Sequence, residues 1–338
     1  MVRVYPFLPP LGPDKMSKRF VNQLVERENV DEIFLVIEKQ LRANRSGNLY
    51  LQLRLADRTG SLTAMMWNAN ERVSQSFESG DYLRVQGASQ FYNGQLQLIL
   101  TKVFSVDPGT VDESDFVVLG PSEVETLFGG LSDRLRRLEN AHLRSLAEAF
   151  LMDEILVERF LKAPAGIKNH HAFQGGLLQH VVSLMGVADR VADQYPRLNR
   201  DLLVLGVLFH DLGKVDELSY ERDMSYTTAG QLLGHVMLGV EILEKKLRQA
   251  EGLSGEPFPE SLAYHLKHLI LSHHGEYEYG SPKLPMTPEA MALHLIDNLD
   301  AKLHQFFQLI DEDANAESPW TTYLSLIHIS EPTRLSAI

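Results

Sequence analysis

Histidine and aspartate crowd into one part of this chain. Eleven of its thirteen histidines fall between His170 and His304, around the run Phe209-His210-Asp211-Leu212-Gly213-Lys214. Near that run in sequence stand His180, His235, His273, His274 and Asp297. Imidazole nitrogen with carboxylate oxygen is the donor mix that suits Mn, Fe, Zn or Ni. Most of these residues lie in apolar, helix-forming sequence, where an unpaired polar ring is costly to bury. A buried metal centre would remove that cost. The chain has no cysteine, so thiolate ligands and disulfides are excluded and His and carboxylate must do the holding.

The spacing narrows the geometry. Neighbours on an α-helix point about 100° apart, so His210 and Asp211 can serve one ion only near a helix end or at a bend. Gly213, two residues on, permits that. His180 follows Gly175-Gly176 on the preceding helical stretch, and Asp297 lies on a late one. A His, a His-Asp pair and a late Asp make a four-ligand set from three helices, as in other helical-bundle metal sites. A His-Asp dipeptide by itself is a chance occurrence; its company of histidines carries the reading.

These side chains need a helical scaffold, and the second half of the chain supplies one. Apolar residues recur at three-to-four spacing over 131–150, 152–162, 176–195 and 201–210, then over 230–249, 259–271 and 287–311. The first half has a different period. Segments 33–37, 49–55, 61–67, 82–88 and 95–100 read as strands, with an Asp57-Arg58-Thr59-Gly60 turn and an Asn93-Gly94 hairpin signal. A polar helical insert is expected near 68–77. Five strands without a long helix predict a small closed barrel. The order of these pieces resembles an OB-fold of the nucleic-acid-binding kind. On such a barrel Tyr50, Trp67, Phe91 and Tyr92 are candidates to stack bases, with Arg42, Arg45, Arg54 and Arg84 for phosphates. Half of the aromatics could equally be barrel core.

The expected organisation is multi-domain, β then α. A leader (1–29) precedes the barrel (30–106), a linker (107–125) and an all-α bundle (126–323). Met16 is an alternative start. The segment Leu324 to Arg334 reads as a translated sequencing-library adapter, which would make 324–338 an artefact and removes His328 from the argument. At 338 residues with 44% hydrophobic and 23% charged content, the composition is that of an ordinary globular protein. The formal charge of −13 argues against a strongly basic nucleic-acid-coating protein. No apolar run approaches the roughly 20 residues of a membrane span, and the N-terminus lacks a secretory core. With no cysteine, this fits a cytoplasmic protein.

Taken together, "GGLLQH", "LFHDLGK", "GHVMLG", "LSHHGEYEYGSP" and "LIDNLDAK" resemble the HD-domain metal phosphohydrolases. More narrowly, with a barrel in front, they resemble the YhaM-type 3′→5′ exoribonucleases, over about residues 20–323. The resemblance implies His180, His210, Asp211 and Asp297 as ligands of a first metal. It implies His235, His273 and His274 for a second, with Asp211 bridging. Asp300 is the rival of Asp297, because "IDNLDAK" offers two carboxylates on one helix face. Two divalent ions, Mn by resemblance and otherwise Fe, Ni or Zn, roughly 3.5–4 Å apart can steady the attacking and leaving oxygens of a phosphoryl displacement. Lys214 would contact the scissile phosphate, and His170 or His171 the substrate. Expected partners are single-stranded RNA or DNA and further copies of the chain. The activity implied is metal-dependent 3′→5′ exonucleolysis releasing nucleoside 5′-monophosphates. The alternatives are a phosphodiesterase acting on a cyclic dinucleotide or free nucleotide, and a binding protein with an inactive helical domain. The segment after His274 lacks the Gly-Tyr-Pro signature of the cyclic-dinucleotide branch, and an intact ligand set argues against the inactive form.

Overall fold

The computed structural model describes residues 18–311 except 45–46, 93–94, 117–118, 167–172 and 221–224, with side chains described to residue 307. The expectations for most of the leader, for Arg45, the Asn93-Gly94 turn, His170 and His171, and for the tail lie outside these residues.

Alternation in the first half does what its period requires. Strands β1 (Asn29–Ala43), β2 (Leu49–Asp57), β3 (Gly60–Trp67), β4 (Tyr82–Tyr92) and β5 (Gln95–Ser105) close into a barrel in the order β1-β2-β3-β5-β4. β3 runs parallel to β5, and β4 returns antiparallel to β1. Leu51, Leu53 and Leu55 on β2 and Leu62, Ala64 and Met66 on β3 point inward and are buried, with Phe34, Leu83, Val85 and Leu98. The residues between them, from Tyr50 to Arg54 and from Thr63 to Trp67, therefore face outward. β1 is longer than the predicted 33–37. Its first half pairs with β4 and its second with β2 across a bulge after Val36. That second half carries Glu38-Lys39-Gln40, which is only partly buried and shows no apolar alternation. The polar insert is a short helix, α1 (Glu71–Ser74), whose first turn is capped by Asn70.

The helical half begins inside the segment expected as linker. α2 (Pro121–Arg136) starts at a proline and passes through Gly129-Gly130, where the sequence reading had placed a boundary. The single helix expected over 131–150 is two. Asn140 accepts from the Leu143 N–H and starts α3 (Ala141–Leu151), and Asp153 caps α4 (Glu154–Lys162) in the same way. Periodicity cannot register such caps, because the apolar phase continues across them. α5 (Gly176–Gln194), α6 (Arg200–Phe209), the short α7 (Lys214–Glu217), α8 (Thr228–Ser254), α9 (Glu260–Ser272) and α10 (Pro288–Asp311) complete the bundle. Between α7 and α8, Leu218–Ser219 pairs antiparallel with Ser225–Tyr226. Every residue from Leu202 to Phe209 is buried, which makes α6 the hydrophobic axis on which α5, α9 and α10 pack. No helix among the described residues is long and apolar enough to cross a membrane.

Gly213 serves differently from the sequence reading. Its backbone is ordinary right-handed helix, φ −61°, so no special conformation is needed there. A Cβ at this position would stand 1.9 Å from the His235 carbonyl oxygen. Gly213 is therefore a contact point that lets the turn after α6 touch the backbone of α8. Replacing it with alanine is expected to destabilise the chain by about 3 kcal/mol or more, since the obstacle is backbone. The exposed helical Gly129, with nothing within 4 Å of an added Cβ, should instead gain about 0.5–1 kcal/mol as Gly129→Ala. Urea denaturation of the two variants beside wild type reads both signs.

Candidate metal centre

The ends and breaks of these helices converge on one buried volume. His180 comes from the first turns of α5, and Asp297 from the middle of α10. His210 is the residue at which α6 stops, with Asp211 in the turn that follows. His273 and His274 follow α9 directly. His235 stands just past a break in α8 at Gly234, whose φ of 72° and ψ of 161° leave the helix for one residue. The apolar spacing over 230–249 gives no sign of this break.

Two trios result. His180, His210 and Asp297 offer donor atoms that all lie within 4.8 Å of one another, and so do His235, His273 and His274. Asp211 stands between them. Its Oδ2 is 3.4 Å from His210 Nε2 and 3.7 Å from His180 Nε2, while its Oδ1 is 3.5 Å from His235 Nε2 and 3.7 Å from His273 Nε2. One carboxylate thus faces both trios with different oxygens.

The outer nitrogens of four histidines are all occupied. His180 Nδ1–H donates to Asp300 Oδ2 at 3.0 Å and His235 Nδ1–H to Glu217 Oε1 at 3.1 Å. His210 Nδ1–H donates to Val207 O at 2.8 Å and His273 Nδ1–H to Ile270 O at 2.7 Å. In each ring this turns Nε2 inward, the arrangement in which an outer acceptor fixes the tautomer of a metal-binding imidazole. His273 Nε2 and His274 Nδ1 are buried without a hydrogen-bond partner. Orphaned atoms of this kind are rare in folded proteins and need a reason. A cation at the trio supplies one for the His273 nitrogen, and the all-N/O donor set suits a divalent first-row metal.

Charge follows the same pattern. Burial opposes the His180 imidazolium, but hydrogen bonds to Asp297 and Asp300 outweigh it and raise the group to about 9. Burial drives His273 well below the ordinary imidazole range and lowers His274 to about 4, each helped by repulsion from the neighbouring ring charge. Burial also opposes the Asp211 carboxylate, yet Lys214 and the surrounding histidines hold it well below its usual range.

Two family models and several known relatives match this chain. Residues 177–302 match the model described as the HD domain, and residues 35–106 the model described as an OB-fold nucleic acid binding domain. A 3′-5′ exoribonuclease YhaM from Bacillus subtilis is 36% identical over 285 residues, covering 84% of this chain and 88% of that protein. Its namesake from Bacillus velezensis is 38% identical over 82% of this chain and 86% of its own length. One from Listeria innocua is 35% identical over 87% and 92%. The chain belongs to the YhaM family. In this chain the OB-fold-matched segment precedes the HD-matched one, and both trios lie within the latter.

In this YhaM-family chain Asp297 joins a trio, whereas Asp300 lies behind His180 and also accepts from Ser183 Oγ at 2.9 Å. The two carboxylates weighed as rivals thus occupy different layers. Lys214 Nζ donates to Asp211 Oδ2 and to Ala165 O, both at 2.6 Å, which accounts for two of its three N–H groups. Motif and spacing do not single out Glu217 or Ser183. The signal for Glu217 was an acidic residue inside an apolar stretch, Val215 and Leu218 being buried beside it. On the barrel, Tyr50 and Trp67 are cross-strand partners with ring centroids 5.4 Å apart, and Trp67 is half exposed. Arg54 Nε donates to Ser61 Oγ on the same face. Arg84 donates two hydrogen bonds to Asp31, at 2.6 and 2.9 Å.

The opposed shifts set a pH optimum for the metal-stripped protein. His180, raised above its unfolded value near 6.5, stabilises the fold below that pH and loses its contribution as pH climbs through about 9. His274, lowered to about 4, makes the unfolded chain the better proton binder between about 4 and 6.5, so stability rises with pH there. Chelator-treated protein should be most stable near neutrality and weaken on both sides. A flat profile from pH 5 to 9 in urea titrations would contradict these assignments.

Proposed function

We propose that this chain is a metal-dependent 3′→5′ exonuclease that hydrolyses single-stranded RNA, and DNA as a second substrate, to nucleoside 5′-monophosphates. The observation that carries the reading is Asp211, whose two oxygens face two His-rich trios in a domain preceded by an OB-fold barrel. Relatives over most of the chain are named 3′-5′ exoribonucleases, which supports both polymer and polarity. RNA as substrate in turn supports a cytoplasmic location.

His180, His210, Asp297 and Asp211 would hold one divalent ion, and His235, His273, His274 and Asp211 the other, with manganese as the metal. Two bound ions of this kind activate water and neutralise charge on a phosphodiester undergoing in-line displacement. The chain's own residues do the rest. The Lys214 ammonium, anchored by Asp211 and Ala165, keeps one N–H to offer a non-bridging phosphate oxygen. The buried, carbonyl-anchored rings of His210 and His273 hold their inner nitrogens in place without rotamer freedom. Stacking of bases on Tyr50 and Trp67, with Arg54 on the backbone phosphates, would retain the strand while its 3′ end is shortened.

A time course on 5′-labelled single-stranded RNA with Mn²⁺ should give a descending ladder. His210→Ala and Asp211→Asn should abolish it, and so should chelation. Trp67→Ala should weaken RNA binding about tenfold, within the roughly 1–3 kcal/mol of one stacked base, and leave hydrolysis of a dinucleotide nearly unchanged. Intact RNA from folded, metal-loaded protein would rule the reading out.

A further inference from the structure

Glu217 lies outside both trios, yet everything around it is arranged to aim one ring. Its Oε1 accepts from His235 Nδ1–H at 3.1 Å and from the His235 backbone N–H at 2.9 Å. One carboxylate oxygen therefore holds the residue by side chain and main chain together. The backbone N–H is available to it because α8 breaks at Gly234; an unbroken helix would point that N–H along its axis to a carbonyl four residues back. Glu217 is itself pinned. Its carbonyl accepts from the Thr227 N–H at 2.9 Å, and a Cβ at Gly230 would stand 2.1 Å from that same oxygen. The start of α8 thus packs against the end of α7 at one residue, and that residue is buried.

Building on the two-ion reading above, we propose that Glu217 is the positioning residue of the His235–His273–His274 trio. It fixes the Nδ1–H tautomer and the ring plane of His235, so that Nε2 faces Asp211 Oδ1. The trio's ion depends on it, and the ion of the other trio does not. In each trio one ring is anchored by a carbonyl of its own helix, His210 in the first and His273 in the second, whereas His235, just past the break in α8, is held by Glu217. Asp300 does the matching work for His180, from α10, in the first trio. Each trio thus has its own carboxylate, and the two centres can be unloaded one at a time.

The test is Mn²⁺ titration of the full chain by calorimetry, with bound metal counted after dialysis. Wild type is expected to hold two ions. Glu217→Ala should hold one tightly and bind the second about 10–100-fold more weakly. Glu217→Gln, whose amide oxygen can still accept both N–H groups, should recover most of that loss. His235→Ala combined with Glu217→Ala should lose no more than His235→Ala alone, because a residue acting through another shows no additional effect once that partner is gone. Full, wild-type binding of the second ion by folded Glu217→Ala, or additive losses in the double variant, overturns the inference and leaves the two-ion reading standing. A wild type that holds a single ion overturns the two-ion reading, and this inference with it. If Glu217→Ala does not fold, histidine ¹⁵N resonances of Zn²⁺-loaded wild type decide the matter. A protonated, hydrogen-bonded Nδ1 on His235 agrees with the proposal, and a protonated Nε2 overturns it.

Discussion

Everything in the helical half answers to one cost, that of placing carboxylates and imidazoles inside a close-packed apolar interior. Asp211, His180, His210 and His273 are as buried as the leucines around them. An isolated carboxylate could not remain ionised there, and an unpaired ring would lose the hydrogen bonds it makes in water. The chain meets the cost by mutual neutralisation. Lys214 and His180 oppose Asp211 and Asp297, and the outer imidazole nitrogens take carbonyls and carboxylates as acceptors. What is left over points inward, and it consists of imidazole Nε2 atoms and carboxylate oxygens. A cation is the natural complement of such a remainder, so electrostatics of the fold and affinity for a metal are one property.

The same economy explains where the donors sit. A regular helix spends its backbone on itself and sends neighbouring side chains in diverging directions. His210, Asp211, His273 and His274 lie where helices end, and His235 lies at a break. At those places consecutive residues can face one point and freed main-chain groups can bond to side chains. The glycines are part of this. Gly213 lets the turn after α6 touch α8, and Gly234 releases the main chain that Glu217 takes up. Packing on α6, every residue of whose last two turns is buried, then holds these irregular segments in register.

The two halves contribute different physics. The barrel presents a face of aromatic and basic side chains on β2 and β3 over an interior of leucine and methionine, which suits reversible hold on a flexible polymer whose bases all have a stackable surface. The bundle contributes rigid charge. An acidic total of −13 is no obstacle to such a division, because net charge does not set the charge of a local surface.

Sequence alone determined the two periods, and with them the β-then-α order, the inward rows of the barrel and the apolar stripes of the bundle. It also determined the stock of chemistry, because thirteen histidines without a cysteine leave only nitrogen and oxygen donors. The resemblance of the short motifs sorted most of those donors into a set. Tertiary structure alone decided what local pattern does not encode. Helix breaks at Asn140 and Gly234 depend on a cap and on a backbone angle, while apolar phase runs through both. Asp297 and Asp300 share a helix face, so only the placement of α5 opposite α10 makes one a member of a trio and the other the support of His180. Glu217 reaches His235 across 18 residues, through a close approach that exists only once α7 and α8 have packed. Periodicity records which face of an element is buried; which atoms then meet is fixed by how the elements pack.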